Sequence, residues 1–521
     1  MSLLKHVGTI GGLTAVSRVF GFVRDMLVAR VLGATPMGDA WQLAFMLPNI
    51  FRRLFAEGAF ASAFVPLFNR RMNEGASEAE RFATSVLSLL LPILIVFGAL
   101  AMIAMPWVVG YFAPEGLERD PEALPIAITM ARIAFPYLIF MSLATLVAAV
   151  LNSLSRFAAA AAAPIFLNLC LIVALVYGAS LGDGVLARRE SAMWQSVALS
   201  VSGLVQLVWL WFFMRRAGFR LHLVAPRVTE GVKDLGILII PAVFGAGVYQ
   251  ISRFVDLFFL STLPVGSYTY LAMADRWNQL PLGIIGIALG TAILPALSRH
   301  LGKDEHGEAG RLQSNAIELA MLLTVPCAVA LFVTGSAFTR VFFSGGAFTV
   351  EDALVTGTVV SGLVIGLPAY VLVKVLTPNF FARKDTRTPV YTAAASLVVT
   401  VGLNIVLVPR IGVLGLAIAG SAGAWVNVLL LYAILARRGF FVLPARIFWR
   451  IARITLAALV MGAALWFAMP YGEGWFTGEV LERALAVGGI MLVGLLTFAL
   501  AAYVLRVLDK DTVTRLMRRQ A

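Results

Sequence analysis

Long uninterrupted apolar segments constrain this chain more than any other feature. Of its 521 residues, 60% are hydrophobic and only 13% are charged, and its mean hydropathy is +0.90. Soluble domains carry about a quarter charged residues, so these values indicate a polytopic membrane protein. Inside a bilayer each segment must satisfy its own backbone polar groups, and apolar runs of about 20 residues therefore fold as spanning helices.

The apolar runs predict about fourteen spans, which leaves little chain for a separate soluble domain. With the N-terminus in the cytoplasm, 26 of the 41 Lys and Arg fall in cytoplasmic segments, six fall outside and nine lie within spans, when Arg340, Arg450, Arg453, Arg483 and Arg506 are counted with the loops that they adjoin. This asymmetry follows the positive-inside rule and predicts that both termini are cytoplasmic. The predicted spans are 8–32, 37–68, 83–112, 125–151, 158–181, 192–214, 234–263, 267–298, 312–343, 352–378, 389–409, 413–436, 447–469 and 480–506.

An internal repeat relates the two halves of the chain. The segment VSRVFGFVRD at 16–25 resembles ISRFVDLFFL at 251–260, and matching phrases close the helices that follow, FVPLFNR at 64–70 and ILPALSR at 293–299. The repeat recurs after six spans, so the halves share one orientation, as in parallel-repeat transporters whose site lies between two bundles. The predicted all-α domains are an N-lobe at 1–220, a C-lobe at 221–440, and spans thirteen and fourteen with a cytoplasmic tail at 441–521.

Charged residues inside the predicted spans are the strongest indication of a functional site. A charge at the bilayer centre costs about 2.5–3.5 kcal/mol on insertion scales, and such residues mark substrate paths. Arginines outnumber acids here, and guanidinium groups bind phosphate in planar, bidentate geometry, so we expect an anionic substrate. The candidate substrate-binding residues are Arg18, Arg24, Arg52, Arg53 and Arg276, and the candidate supporting or gating residues are Asp25, Asp39, Asp275 and Arg253.

Ion pairing is the structural alternative for two of these groups. On an ideal helix, Arg18 and Asp25 fall within about 20° of each other, so they could form a purely structural pair. The same interpretation applies to Arg53 with Glu57.

An acid in the seventh span has two interpretations as well. Asp256 lies one helical turn after Arg253, which favours a neutralising pair. Alternatively, Asp256 belongs to a Na⁺ or H⁺ coupling site, because hard cations take oxygen ligands, and Asn379 in the tenth span is then a second candidate ligand.

The sequence contains no catalytic or metal-binding motif. Its two cysteines, Cys170 and Cys327, lie in apolar runs, and its four histidines fall in predicted cytoplasmic segments. We therefore predict a transporter without a cofactor, driven by Na⁺ or H⁺ coupling or by the membrane potential alone. The net charge of +13 follows from the cytoplasmic loops, so no nucleic-acid partner is expected.

Four phrases carry a family resemblance. GTIGGLTAVSRVFGFVRDMLVARVLG, GDAWQLAFMLPNIFRRLFAEGAFASAFVPLF, ADRWNQLPLGIIGIALGTAILPALS and ARKDTRTP closely resemble the MurJ/MviN lipid II flippases, and the similarity covers essentially the whole chain. The resemblance implies the multidrug/oligosaccharidyl-lipid/polysaccharide exporter fold, with two six-helix lobes in a V. Spans thirteen and fourteen would form a groove for the polyprenyl tail.

The resemblance also implies a function and a site. The function is translocation of the lipid-linked peptidoglycan precursor across the bacterial inner membrane, with lipid II, membrane lipids and other cell-wall synthesis proteins as partners. The family's cationic cavity matches Arg18, Arg24, Arg52 and Arg276, with Asp25 and Asp39 as acidic partners. Its sodium-site acid resembles Asp256, with Asn379 as the match on the other side.

Three other functions fit parts of the sequence. A flippase for another polyprenyl-diphosphate glycan, such as an O-antigen or exopolysaccharide unit, would bind the same anionic group. A multidrug cation antiporter of this superfold would need an acid-lined cavity, and a polyprenyl-phosphate transferase would need acidic metal-binding clusters at a membrane face. The arginine-rich spans and basic loops favour the flippases over both.

Overall fold

The computed structural model describes residues 3–55 and 59–507, and their side chains except at 3–8, 53–55, 59, 61–62, 240–249, 287–288 and 291. Helices account for nearly all of this part of the chain, joined by short turns. The helices are α1 (Leu3–Leu32), α2 (Pro36–Phe55), α3 (Ala59–Glu74), α4 (Ala76–Phe112), α5 (Ala123–Ala134), α6 (Tyr137–Ser153), α7 (Phe157–Ser180), α8 (Val185–Arg216), α9 (Glu230–Ser261), α10 (Ser267–Pro281), α11 (Ile287–Gly302), α12 (His306–Phe343), α13 (Val350–Val364), α14 (Leu367–Ala382), α15 (Arg387–Ile411), α16 (Val413–Arg437), α17 (Ala445–Gly472) and α18 (Val480–Val504).

These helices confirm the predicted fold class, because each of the fourteen predicted spans corresponds to one helix or to a pair of consecutive helices. Within the described part of the chain, ten segments are long and apolar enough to cross a membrane. The other four segments are α1, α2–α3, α9 and α10–α11. They carry the charged residues that the sequence singled out, and the neutral candidate ligand Asn379 lies on α14.

Helix breaks recur at equivalent places in the two repeats. The fourth span of each half is divided, into α5–α6 at Pro136 and into α13–α14 just before Pro368. In the second half, the second span is also interrupted: five residues of π-helix, 282–286, follow Pro281. Proline removes a backbone donor and clashes with the preceding turn, so the repeated prolines account for repeated breaks.

The contacts divide the chain into two compact units. Unit 1 comprises residues 1–269 and 345–348, and unit 2 comprises residues 270–344 and 349–521. Helix α9 belongs to unit 1 because it packs against α2, α3 and α4. The division reflects packing, whereas the lobe boundaries at 220 and 440 come from the repeat, and they stay a prediction.

Each unit has its own hydrophobic core. In unit 1, the rings of Phe60, Phe64 and Phe68 stack in sequence with centroids 5.4 and 5.5 Å apart, and Phe82 of α4 stacks on Phe64 at 5.4 Å. Offset aromatic pairs at this spacing add to the stabilisation from buried area. The core of unit 2 joins α11, α12, α14 and α16 to α17 and the end of α18.

Helices α17 and α18 are part of the packing of unit 2. The Glu318 carboxylate of α12 and the Arg450 guanidinium of α17 form an ion pair at 2.8 Å, with 14% and 12% of their side chains exposed. Gly462 of α17 lies against Val329 of α12 so closely that a Cβ there would be 2.6 Å from a valine methyl group. Small residues permit such close helix packing in membranes, so the hairpin lies directly on α12.

Candidate functional site

Arg24 lies at the centre of a buried polar network in unit 1. Its side chain extends from α1 and only 5% of the residue is exposed. Nε and Nη2 donate to the Asp25 carboxylate at 3.1 and 2.7 Å, and Nη1 donates to Oδ1 of Asn168 at 3.0 Å. The Phe45 ring lies 5.5 Å from the guanidinium carbon. A buried cation is tolerated only with such pairing, and the network holds this one in a fixed orientation.

Asn168 of α7 joins the network to the backbone of α1. Its Nδ2 donates to the carbonyl oxygens of Ser17 at 3.0 Å and Pro164 at 3.3 Å, while Oδ1 accepts from Arg24. Gly21 lies beside the amide: a Cβ at Gly21 would be 3.6 Å from Nδ2 of Asn168, an ordinary van der Waals contact. Asn168 was not among the site residues predicted from the sequence. It could have been found there, because it is the only amide or charged residue between 157 and 176.

Asp25 pairs with its chain neighbour and not with the arginine two turns away. Its described ion-pair partner is Arg24, and Asp25 is itself 4% exposed. Arg18 is half-buried on α1 and has no ion pair or side-chain hydrogen bond with a described residue. Among the candidate arginines of unit 1 with a described side chain, Arg18 is therefore the one whose charge is balanced least by neighbouring groups.

Arg52 is held at the end of α2 in unit 1. Its Nε donates to Oδ1 of Asn49 at 3.2 Å, and Nδ2 of Asn49 donates to the Phe45 carbonyl at 2.7 Å. The Phe45 ring also faces Arg24, so Asn49 and Phe45 of α2 lie between Arg52 and Arg24 in this chain of contacts. The side chain of Arg53 lies outside the described residues, and the alternative pairing of Arg53 with Glu57 lies there too.

Asp39 of α2 caps the start of α10. It is completely buried, and its carboxylate accepts hydrogen bonds from the backbone N–H of Gly266 at 2.7 Å and of Thr269 at 2.9 Å. The Thr269 hydroxyl donates to the same carboxylate at 2.7 Å. The first N–H groups of a helix lack partners within the helix and favour a negative charge, so Asp39 ties α2 to the start of α10.

Arg253 and Asp256 of α9 form the ion pair that their spacing of one helical turn favours. The guanidinium and the carboxylate are 3.7 Å apart, and 29% and 20% of their side chains are exposed. Both residues make further contacts within the chain. An acid beside an arginine can remain ionised in a span without a bound cation.

In unit 2, Arg276 and Asp275 occupy neighbouring half-buried positions of α10. Asp275 accepts a hydrogen bond from Gln279, one turn further along the helix. Both charged groups lie within the predicted span 267–298. Arg276 also makes further contacts within the chain.

Asn379 lies in a buried network of unit 2. Oδ1 of Asn379 accepts from Nε of Arg383 at 3.1 Å, and its Nδ2 lies 3.5 Å from Oε1 of Gln313. The Arg383 guanidinium carbon stands 4.0 Å from the Phe440 ring centroid. A cation ligated by Asn379 would replace its hydrogen bond from Arg383. Among the described residues, no group of three or more His, Cys, Asp or Glu side chains could hold a metal ion.

A helical membrane protein with a parallel repeat and arginines buried within its spans has the architecture of a membrane transporter. A solved structure described as "Lipid II flippase MurJ, inward closed conformation" superimposes with a TM-score of 0.77 over 95% of this chain and 98% of that one, at 23% identity. An inward-facing multidrug transporter of the MATE family and MOP superfamily superimposes with a TM-score of 0.67 at 13% identity, covering 81% of this chain and 94% of that one. These likenesses establish the fold.

Sequence similarity identifies the family. The model of the family "Lipid II flippase MurJ" matches residues 28–486. A probable lipid II flippase MurJ of Rhizobium meliloti is 41% identical over 505 residues, covering 96% of this chain and 93% of the relative. A lipid II flippase MurJ of Burkholderia cenocepacia is 33% identical over 513 residues, covering 96% and 97%. The chain belongs to the MurJ lipid II flippase family, so it is a multi-pass membrane transporter of the bacterial inner membrane and not an enzyme.

Proposed function

We propose that this protein translocates lipid II, the polyprenyl-diphosphate-linked peptidoglycan precursor, from the inner to the outer leaflet by alternating access. The observation that carries the proposal is the full-length similarity to relatives named for this function, with 41% identity in one case. The arginines within the spans supply the matching chemistry, because guanidinium groups bind diphosphate in bidentate geometry.

The Arg24 network supports a role in binding diphosphate. A guanidinium has five N–H donors, and the contacts to Asp25 and Asn168 use three of them. Two donors are therefore left for a phosphate while the side chain stays oriented. Asp25 neutralises Arg24 in the empty state, whereas Arg18 brings a charge that no described acid balances. In this proposal Arg18, Arg24, Arg52 and Arg276 bind the diphosphate.

The packing of α17 and α18 is consistent with a binding surface for the lipid tail. The hairpin is fixed to α12 by the Glu318–Arg450 ion pair, and it carries large apolar side chains that the protein leaves uncovered. These are Trp466, Phe467, Leu495 and Leu496, which are 59–75% exposed. Moving a polyprenyl chain from hydrocarbon into water costs about 0.8 kcal/mol for each CH₂. The tail therefore stays in the membrane, where this hairpin offers it an apolar surface while the polar head group crosses.

The membrane potential is the proposed driving force. Asp256 already has Arg253 as a counter-charge at 3.7 Å, which reduces its need for a bound Na⁺ or H⁺. Moving one elementary charge through 100 mV is worth about 2.3 kcal/mol, enough to return an emptied cationic site. The proposed orientation places both termini in the cytoplasm, following the distribution of Lys and Arg. Translocation into proteoliposomes under an imposed potential, a Na⁺ gradient or a pH gradient separates the three sources.

The test of the function is a lipid II translocation assay on single variants in proteoliposomes. Arg24→Ala, Arg52→Ala and Arg276→Ala should each lower the rate at least tenfold, as the loss of a charge-assisted contact of about 1.5–3 kcal/mol implies. The matched control is Arg132→Ala. Arg132 also lies within a predicted span, and its Nε donates to the Met102 carbonyl at 2.9 Å, so its loss should leave the rate near wild type. Wild-type rates in all three site variants would disprove the proposal.

The other flippase function is tested by competition and by depletion. Binding of labelled lipid II should be displaced by unlabelled lipid II at lower concentration than by polyprenyl-diphosphate O-antigen or exopolysaccharide units. Depletion of the protein in cells should trap lipid II on the cytoplasmic leaflet. If another glycan competes better and lipid II still reaches the outer leaflet, the substrate is that glycan. Interaction with other cell-wall synthesis proteins stays a prediction.

A further inference from the structure

A cavity of about 350 Å³ opens between the first turns of α15 and the last turns of α16 in unit 2, and it is lined by Thr388, Tyr391, Ile434, Arg437 and Arg438. We propose that this cavity binds the head group of an anionic phospholipid, at a place distinct from the residues proposed to bind lipid II. Basic pockets between spanning helices at the cytoplasmic side are suited to such head groups. The distribution of Lys and Arg predicts that these helix ends are cytoplasmic.

Arg438 is held in place at one wall of the cavity. Nη1 of Arg438 donates to the Asp385 carboxylate at 2.6 Å, and its Nη2 lies 3.2 Å from the Thr388 hydroxyl. The Thr388 backbone N–H also donates to Asp385, at 3.0 Å. A guanidinium oriented in this way loses little side-chain entropy when it binds a phosphate oxygen.

Arg437 provides the cation that is available for binding. It is the last residue of α16, it is exposed, and it has no ion pair or side-chain hydrogen bond with a described residue. Its place at a helix C-terminus, where the carbonyl groups point outward, explains why it is tolerated beside Arg438. A phosphate in the cavity could therefore form an ion pair with an arginine that has no such partner among the described side chains.

The charge around the cavity is strongly positive. The adjoining turn and helix end contain five cations and a single acid, so their net charge is 5 − 1 = +4. The acid, Asp385, is ionised at neutral pH: burial alone would raise its pKa, but hydrogen bonds from Thr388 and Arg438 and the charge of Arg438 lower it to about 2. The cations are Arg383, Lys384, Arg387, Arg437 and Arg438.

The cavity is also bordered by apolar groups, and this favours a lipid over a soluble phosphate. Ile434 lines it, and Tyr391 presents an aromatic ring that is 69% exposed. Further along the same helices, Val398 is 72% exposed and Leu429 is 62% exposed. An acyl chain can extend along these side chains while its phosphate stays at the arginines, and tyrosine is enriched at this depth of a membrane. A free anion would gain nothing from this apolar surface.

The internal repeat supplies a matched control. The sequence MRRAGF at 214–219 ends α8 just as ARRGF at 436–440 ends α16, so Arg215 corresponds to Arg437. Arg215 is likewise exposed in the last turn of its helix. The turn before α7, however, reads LSRFA and has no acid or threonine in the places of Asp385 and Thr388. Arg215 therefore has the same charge and depth as Arg437, but its neighbour Arg216 lacks the Asp385–Thr388 support that Arg438 has.

The experiment uses the full chain in phosphatidylcholine nanodiscs that contain a trace of photo-crosslinkable phosphatidylglycerol. Labelled peptides are mapped by mass spectrometry, and thermal unfolding confirms that each variant is folded. Wild type should be labelled at the start of α15 and the end of α16. Arg437→Gln should lower this labelling about fivefold, as expected for one basic residue near the surface, and Tyr391→Ala should shift or weaken it. Arg215→Gln should leave it unchanged.

Four results would overturn the proposal. Equal labelling of wild type and Arg437→Gln would show that the arginine does not bind the lipid, and an equal loss with Arg215→Gln would show an effect of surface charge alone. Displacement of the label by inorganic phosphate as readily as by unlabelled phosphatidylglycerol would indicate a site for soluble anions. Displacement by lipid II but not by phosphatidylglycerol would instead assign the cavity to the substrate.

Discussion

The helical hairpins α7–α8 and α15–α16 occupy equivalent places in the two repeats but place their polar groups at different depths. In α7 the polar residue is Asn168, near the middle of the span, where it binds Arg24 of α1. At α15 the polar groups lie at the start of the helix, where Thr388 and the preceding Asp385 hold Arg438. The comparison shows that one scaffold can orient an arginine deep in the membrane or at its surface, depending on which turn carries the partner.

Each hairpin also buries an asparagine, but in the described part of the chain only the asparagine of α7 makes side-chain hydrogen bonds. Asn168 is 6% exposed and makes hydrogen bonds through both of its amide atoms. Asn404 of α15 is completely buried, and neither of its amide atoms has a hydrogen-bond partner in the described part of the chain. A buried amide that lacks a partner costs about 1–3 kcal/mol, so only the asparagine of α7 stabilises its surroundings.

The largest expected effect comes from Asn168→Leu. The substitution removes the acceptor for Nη1 of Arg24 and both donors to the backbone. We expect lipid II translocation to fall at least tenfold and the protein to lose about 1.5–3 kcal/mol, the usual contribution of a hydrogen bond to a charged group. A translocation assay and thermal unfolding in detergent measure the two effects. Unchanged translocation would mean that the orientation of Arg24 does not matter.

Arg24→Lys tests the geometry of the same network while its charge is kept. A lysine ammonium cannot present the planar fork that reaches the Asp25 carboxylate and the Asn168 amide together. We expect a translocation rate lowered about tenfold with less loss of stability than in Asn168→Leu. A rate equal to wild type would show that charge alone suffices, and that α7 contributes nothing to orienting the arginine.

A smaller effect is expected at Asp385, just before the start of α15. The folded pKa of Asp385 is about 2, below the value of about 3.9 for an unfolded aspartate. The carboxylate therefore stabilises the protein at pH values above about 4, and this stabilisation is lost as the pH falls toward 2. Asp385→Asn should cost about 1–2 kcal/mol at neutral pH, where screening by solvent limits the gain. Thermal unfolding of both proteins across this pH range should show the difference shrinking on acidification, with translocation unaffected.

The smallest expected effect comes from Asn404→Leu and has the opposite sign. Replacing a buried amide without partners by an apolar side chain of similar volume should leave stability unchanged or raise it by about 1 kcal/mol. Thermal unfolding beside Asn168→Leu gives a direct comparison of the two hairpins. If Asn404→Leu destabilises the protein as much as Asn168→Leu does, the asparagines are equivalent and the contrast between the hairpins is wrong.

Much of the fold could be predicted because the membrane allows few alternatives. Each predicted span corresponds to one helix or to two consecutive helices, since apolar segments of this length must satisfy their backbone internally. The break before Pro368 was not predicted, although the proline was visible in the sequence. Where a proline ends a helix and where the helix continues through it depend on the neighbouring helices that accept the freed backbone groups.

The candidate site was predicted less completely. The arginines and acids stand out because charge is costly in a span, but their partners do not. Asn168 is separated from Arg24 by 144 residues, and no local pattern links them. The contact of Asn379 with Gln313 of α12, 66 residues away, is equally invisible to helical spacing. Only Arg383, four residues after Asn379, lies at a spacing that a helix reveals.

The sequence by itself determined the membrane class, the repeat and the excess of cations, because hydropathy and charge act on each residue separately. Only the tertiary structure decided that Asp25 pairs with Arg24. Arg18 faces the same direction on the helix but lies two turns, about 10 Å, from Asp25. A long guanidinium side chain, however, can fold back to its neighbour once Asn168 of another helix accepts one of its other N–H groups. Pairing depends on which side chains packing brings together, and that information is not local.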